Sequence, residues 1–473
     1  MERARFHYIN GQWCEPTGAE WIDVRNPASE SVVARVPAGT AADVDRAVAA
    51  ARGAFAGFST TSVADRLAML RRIIEVYRTR QDEIAAVLSE EMGTPITLAR
   101  SLQAPRGGDH FAATADALEA FAFEERIANG LVIHEAIGVA ALITPWNWPL
   151  NQIAAKLAPA LAAGCTVVFK PSEIAPLNAV ILAEVLHEAG VPAGVFNLVH
   201  GDGPGVGRTM AQHPDIDMIS FTGSTRAGVS VAIDAAPSVK RVAQELGGKS
   251  ANILMADADF EAVVPRGFTS MCTNAGQSCN APSRMLVPVD RYEDVVALIR
   301  RTAAEIPIGQ PADPATVLGP VANANQFTRV QGFIEQAMAE GAELICGGPG
   351  RPPGFNAGYF VRPTAFGRVT AAMTIAKEEV FGPVLSVQTY KTIDEAIAIA
   401  NDSPYGLAAY VQGRDQEAVR AVARRLRVGM VSANYPRQNL QAPFGGYKQS
   451  GNGREYGKFG LAEFLETKVI LMD

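Results

Sequence analysis

Cysteine is scarce in this chain. Only five occur in 473 residues, Cys14, Cys165, Cys272, Cys279 and Cys346. Their number is odd and no pair shows a CxxC or zinc-ligand interval, so neither a disulfide framework nor a metal site is expected. There is no large basic block, and the formal net charge is −7. That balance argues against nucleic acid or an anionic membrane surface as a main partner. The most apolar long window, residues 153–169, is interrupted by Lys156, Pro159 and Gly164 and is not a membrane span. No signal-peptide core follows the first residues, so a reducing cytoplasm is the expected address. None of the six histidines is marked by context as the partner of a nucleophile, which weighs against a papain-type thiol hydrolase. Internal repeats and low-complexity tracts are also missing.

What is there is the composition of an ordinary globular protein, 48% hydrophobic and 19% charged, long enough for two or three domains. The first part reads as short strands, 6–13 around Asn10-Gly11 and 22–36 around Asn26-Pro27. Thr40 reads as the N-cap of a first helix. A second helix runs from Ser62 to Gly93, with Leu67, Leu70, Ile74, Tyr77, Ile84 and Leu88 on one side. A third runs from Pro95 towards Phe123. From Gly138 onwards, five-residue apolar runs (139–144, 166–170, 195–199, 218–222, 239–246) alternate with helix-length segments. That alternation predicts βαβ units and a parallel sheet covered on both faces. A second such pattern begins at Ala251, with strands expected at 251–255, 285–289, 343–346, 360–366, 384–390, 409–412 and 430–433.

Ligands of parallel sheets bind beyond the carboxyl ends of the strands, and the unusual residues fall there. Gly223-Ser224-Thr225 opens a helix whose free N–H groups could hold a phosphate. Glu173 could accept from a ribose diol and would repel a 2′-phosphate, which favours NAD over NADP, with NADP still open. The loop 201–207 fails the GxGxxG test because Val206 takes the last glycine's place. Cys279 lies in a Gly- and Pro-bounded loop, 275–284, where a thiolate could form if backbone N–H groups or a cation favoured it. A thiolate beside a nicotinamide can add to a carbonyl, lose hydride and become a thioester. Glu245, before Gly247-Gly248, could then activate water.

Seven motifs carry a resemblance to the aldehyde dehydrogenase superfamily over most of the chain, in the family's order. They are Pro145-Trp146-Asn147-Trp148-Pro149, Lys170-Pro171-Ser172-Glu173, Phe221-Thr222-Gly223-Ser224-Thr225, Glu245-Leu246-Gly247-Gly248-Lys249, Gly276-Gln277-Ser278-Cys279, Glu378-Glu379-Val380-Phe381-Gly382-Pro383, and 443–451. The resemblance implies that Cys279 is the nucleophile and Glu245 the general base. Asn147 and the Cys279 N–H would form the oxyanion hole, and Lys156 and Glu455 a proton relay. Lys170 and Glu173 would hold the adenosine ribose, and Ser224 with Gly223 the pyrophosphate. Glu379 would bind the nicotinamide ribose, with Phe381 beside it. Thr144, Trp146, Gly203 and Leu246 would complete the cofactor set.

The one visible departure is Trp148, where Phe is commoner. The segments 280–282 and 446–455 look most like a bacterial subgroup acting on aldehydes and oxo- or semialdehyde acids. The family fold implies an α/β protein with two Rossmann-like parallel-sheet domains and a small β bridging segment. The bounds expected are 1–117 with 138–246 for nucleotide binding, 247–450 for catalysis, and 118–137 with 451–473 for bridging. A homodimer or homotetramer and a small aldehyde substrate are expected. The substrate funnel would involve Trp148, Phe268, Met271, Cys272, Ser278, Asn280, Asn434 and Phe444. The rival readings are a CoA-acylating dehydrogenase, against which Glu245 speaks, and a non-catalytic relative, against which both Cys279 and Glu245 speak.

Overall fold

The computed structural model describes residues 1–472. Two large sheets organise it. The first has eight strands, and its central five are parallel: Phe196–Leu198, Thr166–Lys170, Val139–Ile143, Met218–Thr222 and Arg241–Glu245. Val139–Ile143, Thr166–Lys170 and Met218–Thr222 are buried at every position, as a sheet covered on both faces requires. The N-terminal hairpin, His7–Ile9 with Gln12–Cys14, closes one edge antiparallel, and Gly451–Asn452 pairs antiparallel with the other. From Val139–Ile143 the chain first winds outward through Thr166–Lys170 and then returns to Met218–Thr222 on the opposite side. That reversal is the topological switch point where a crevice forms.

The second sheet has seven strands, in the order Glu343–Cys346, Thr364–Gly367, Val384–Tyr390, Arg284–Pro288, Ala251–Leu254, Ala408–Gln412 and Met430–Ala433. All its pairings are parallel except that between Glu343–Cys346 and Thr364–Gly367. A third, antiparallel sheet joins Glu124–Ile127, Gly130–Ala136 and Leu465–Leu471. The α/β class with two parallel-sheet units and a small β segment stands. As domain organisation we propose the bounds given above. Gly451–Asn452, at the border of the bridging segment, adds its two residues to the first sheet.

Three expected elements differ. The helix from Ser62 is two helices, Val63–Thr79 and Gln81–Met92, broken at Arg80. The apolar stripe continues across the break, but Asp82 and Glu83 start a new first turn, where the helix dipole favours acids. The helix from Pro95 contains a wide π turn, Ala99–Gln103, and ends at Glu119. The strand expected at 360–366 pairs only over Thr364–Gly367. Pro363 precedes it and has no N–H to give a ladder. The capping expectations hold. Thr40 and Ser62 each form a reciprocal capping box, with Asp43 and Asp65, which contributes about 1 kcal/mol per helix. Gly93 and Gly164 end their helices in the left-handed conformation.

Candidate active site

The cleft forms at the switch point. A cavity of about 470 Å³ opens beyond the carboxyl ends of the first sheet and reaches across to the second. Thr144, Trp146, Asn147, Lys170, Glu173, Gly203, Gly223, Ser224, Leu246, Cys279, Glu379 and Phe381 all line it. Residues spread over more than 230 positions thus converge because each follows a strand end or packs against one.

The groups at its far end are tightly held. Lys170 is buried and donates to the carbonyls of Pro171 and Gly201, each at 2.8 Å, and to Glu173 at 3.3 Å. Burial lowers its pKa, and Glu173 offsets part of that shift. Ser224 caps the helix Thr225–Ala235 by accepting from the Ala227 N–H. The glycine at 223 serves a neighbour, since a Cβ there would lie about 2.5 Å from the Phe221 ring. At the near end Glu379 accepts from the Gly248 N–H at 2.9 Å. Burial pushes its carboxyl up to about 7, and that hydrogen bond works against the shift. Phe381 sits at φ +59, a strained position for a bulky residue, and meets Trp146 edge-on at 5.5 Å.

The Cys279 loop is wound through three successive left-handed residues, Asn274, Ala275 and Gly276. Such strain persists only where the surroundings over-determine it. Asn274 donates to the Asn147 carbonyl at 2.8 Å and accepts from Gln103 at 3.0 Å. Asn147 in turn donates to the Gln277 carbonyl at 3.0 Å. Trp148 donates to Ser278 at 2.7 Å, and Tyr410 to the Asn280 carbonyl at 2.8 Å. At Gly248 a Cβ would overlap the Cys279 carbonyl, so this glycine lets the two loops cross.

Of the two groups that could favour a thiolate, a backbone N–H is present, that of Asn280, and no cation is among the described residues that act on the thiol. Burial first, then the charges of Glu379, Glu245 and Glu455, raise the Cys279 pKa far above the ordinary thiol value. These surroundings favour the neutral thiol over the thiolate. Glu245 ends its strand as expected, but it sits behind the cleft in a smaller cavity with Lys156 and Glu455. Side chains alternate along extended backbone, so Leu246 faces the cleft while Glu245 faces away from it. Burial first, then Glu455, raises the Glu245 carboxyl well above the usual range. Lys156 donates to Glu455 in a pair almost closed to solvent.

Of the expected funnel residues, Phe444 packs with Tyr456, Ala155 and Leu407 against Cys279. Phe268, Met271 and Cys272 do not face any opening. They are closed into the core of the second sheet, because the helix Phe260–Cys272 turns its apolar stripe inward. Asn434 spends its amide on both backbone groups of Gly413.

Gln326 and Arg329 were not anticipated. Both line the cleft, and they donate to the carbonyls of Phe381 and Glu379 at 2.6 and 2.9 Å. Their only signal is a polar pair at helical spacing on Ala324–Ala339, which reads as a solvated face.

The family model for the aldehyde dehydrogenase family matches residues 13–470. The chain belongs to the aldehyde dehydrogenase family. This aldehyde dehydrogenase is 54% identical over 472 residues to a 3-succinoylsemialdehyde-pyridine dehydrogenase of a Pseudomonas species, covering 100% of this chain and 99% of the relative. Its fold matches that of a cysteine-to-alanine mutant of aldehyde dehydrogenase C from Pseudomonas syringae, solved with NAD+ and octanal. That match has a TM-score of 0.99 and 56% identity, covering 99% of this chain and 97% of the other. A Mycobacterium tuberculosis aldehyde dehydrogenase solved with NAD+ matches at TM-score 0.97 and 40% identity, over 99% of this chain and 98% of the other. As a member of this family the enzyme is an NAD-dependent oxidoreductase that oxidises aldehydes.

Proposed function

We propose that Cys279 attacks the aldehyde carbonyl, that a thioester follows, and that Glu245 activates the water that releases a carboxylic acid. The observation that carries this reading is convergence. The thiol, its pinned loop and the Asn147 amide meet at the mouth of a dinucleotide-sized cleft, with a buried carboxylate behind. One hydrogen of the Asn147 amide is held by Gln277, which fixes the amide and leaves its second hydrogen, with the Cys279 N–H, for the developing oxyanion. Burial and Glu455 raise the Glu245 carboxyl, which strengthens it as a proton acceptor once ionised. Removing Cys279 or Glu245 tests the proposal directly, as set out in the Discussion.

The cleft fits NAD+. Lys170 and Glu173 would hold the adenosine ribose, the helix start at Ser224 the pyrophosphate and Glu379 the second ribose; that all four line one cleft supports this reading. When bound, the cofactor supplies a positively charged hydride acceptor. Glu173, about a third exposed, sets NAD+ over NADP+ by charge. Glu173→Gln is expected to raise kcat/KM for NADP+ by about tenfold relative to NAD+. An unchanged ratio in the two-cofactor assay would remove Glu173 from that role.

Glu379 adds a pH dependence. With its carboxyl near 7, it is an ionised acceptor above that pH and a neutral acid below it. The KM for NAD+ is therefore expected to rise by about tenfold as pH falls through 7, the loss of one charge-assisted hydrogen bond. Glu379→Gln should flatten that profile, and a wild-type slope in the variant would assign the titration elsewhere.

The wall beside Cys279 is apolar. Phe444 and Tyr456 stack at 5.1 Å, with Ala155, Leu407 and Leu440 around them. Such a wall favours an aldehyde with an apolar tail, aromatic or of medium length, and a panel of aldehydes ranked by kcat/KM would test it. Lys156 and Glu455 relay the proton from Glu245.

We place the protein in the cytoplasm. All five cysteines are free, and among the described residues no helix is long and apolar enough to cross a membrane. A homodimer or homotetramer is the assembly we propose, and the exposed edges support it. Leu465–Leu471 is an edge strand with Val469, Ile470 and Leu471 exposed, and Val229 and Ile233 stand out from the helix Thr225–Ala235. A monomeric mass by light scattering would rule the oligomer out.

A further inference from the structure

The strand carrying Glu245 borders a second space, away from the cofactor cleft. This is a cavity of about 10 Å³, room for a single water. Glu245, Glu455 and Glu463 border it, with Lys156 and Arg454. Glu245 is 4% and Glu455 7% exposed. Both oxygens of Glu245 and Oε2 of Glu455 lack a hydrogen-bond partner, while Oε1 of Glu455 is taken by Lys156. Buried carboxylate oxygens without a donor are rare and call for a water or a proton. Glu463 differs from the other two. It is only half-buried, at the end of the helix Gly457–Glu463, and its Oε1 accepts the Arg454 N–H at 2.8 Å.

The backbone makes way for these acids at both ends of the cavity. At Gly445, φ +154, a Cβ would stand 2.7 Å from Oε1 of Glu245. At Gly453, φ +78, a Cβ would stand 3.3 Å from the carboxyl group of Glu463. Each is a conformation that favours glycine, so one loop places a gap beside the first carboxylate and another beside the last. The charge of Glu463 is felt at Glu245, adding to burial and Glu455 against the pull of Lys156 and Arg454.

We propose that Glu463 is the outlet of a proton route that begins at Glu245 and crosses this cavity to the surface. The proposal rests on Glu245 being the base. In deacylation the water oxygen bonds to the thioester carbon, the C–S bond breaks, and sulfur leaves with the bonding pair as the thiolate, the form that attacks the next aldehyde. Glu245 takes one proton of that water; the other leaves with the acid product. The proton on Glu245 then passes through a water that this cavity has room for and Oε2 of Glu455, whose other oxygen Lys156 holds, to the Glu463 carboxylate, which gives it to solvent. No electrons are transferred along the route.

The test uses Glu463→Gln, which keeps an oxygen to accept from Arg454 but cannot take the proton, with Glu463→Asp as the companion. The NADH burst should be unchanged in both. In dilute buffer the deacylation rate of Glu463→Gln should fall by about tenfold and recover as a small buffer acid is raised at fixed pH and ionic strength. Glu463→Asp should stay close to wild type. A wild-type rate for Glu463→Gln in dilute buffer would overturn the outlet, and so would a slow rate that buffer does not restore. Glu245→Gln, run alongside, separates the two readings. Its stalling in every buffer keeps the base assignment whatever Glu463 shows, whereas its turning over normally would remove the base itself.

Discussion

Replacing Cys279 with alanine is expected to lower aldehyde-dependent NADH formation by at least about 10⁴-fold, since no other group can form the covalent intermediate. The four remaining cysteines are no substitutes. Cys165 and Cys272 are buried in cores, and Cys14 and Cys346 lie outside the cleft. The loop should survive the change, because most of its hydrogen bonds run through Asn274, Gln277, Ser278 and the Asn280 carbonyl, and the sulfur contributes only a contact with the Asn280 N–H. NAD+ affinity measured by calorimetry should therefore stay near the wild-type value. Residual turnover within tenfold of wild type would remove Cys279 from its role.

Glu245→Gln should separate the two halves of the reaction. A stoichiometric burst of NADH is expected, because the role proposed for Glu245 is activation of the deacylating water, which follows oxidation. Steady-state turnover should then fall by about 10³-fold, within the range for loss of a general base. The amide is nearly isosteric, and the cavity already holds Glu245 without hydrogen-bond partners, so the fold should tolerate it. An unchanged steady-state rate in stopped-flow would move the base elsewhere. A missing burst would instead place Glu245 in the first half-reaction. Lys156 and Glu455 are poorer choices for an early experiment. Breaking a buried ion pair strands the surviving charge at a cost of about 3–5 kcal/mol, so loss of activity there could be loss of structure.

Much of this site can be read in the linear chain. Apolar runs near 139, 166, 218 and 241 place strands, and the residues just after each are those that line the cleft. Thr40, Ser62, Gly93 and Gly164 mark helix ends because capping is local chemistry between residues three or four apart. The break at Arg80 is less visible, since the apolar stripe on both sides of it serves one core. Gln326 and Arg329 give no warning at all. Their partners are carbonyls some fifty positions away, and a carbonyl carries no sequence signature.

The sequence alone determined the α/β class and the family, and it named the candidate nucleophile and most of the residues that line the cleft. Those follow from periodicity, caps and short motifs, whose physics is complete within a few neighbouring residues. Only the folded chain decided that burial and nearby carboxylates raise the thiol's pKa, that Glu245 and Leu246 part to opposite sides of their strand, and that Phe268, Met271 and Cys272 belong to a core. Each depends on burial and on charges brought together from distant segments. Desolvation and Coulomb energies are set by distance in space, which the order of residues does not state.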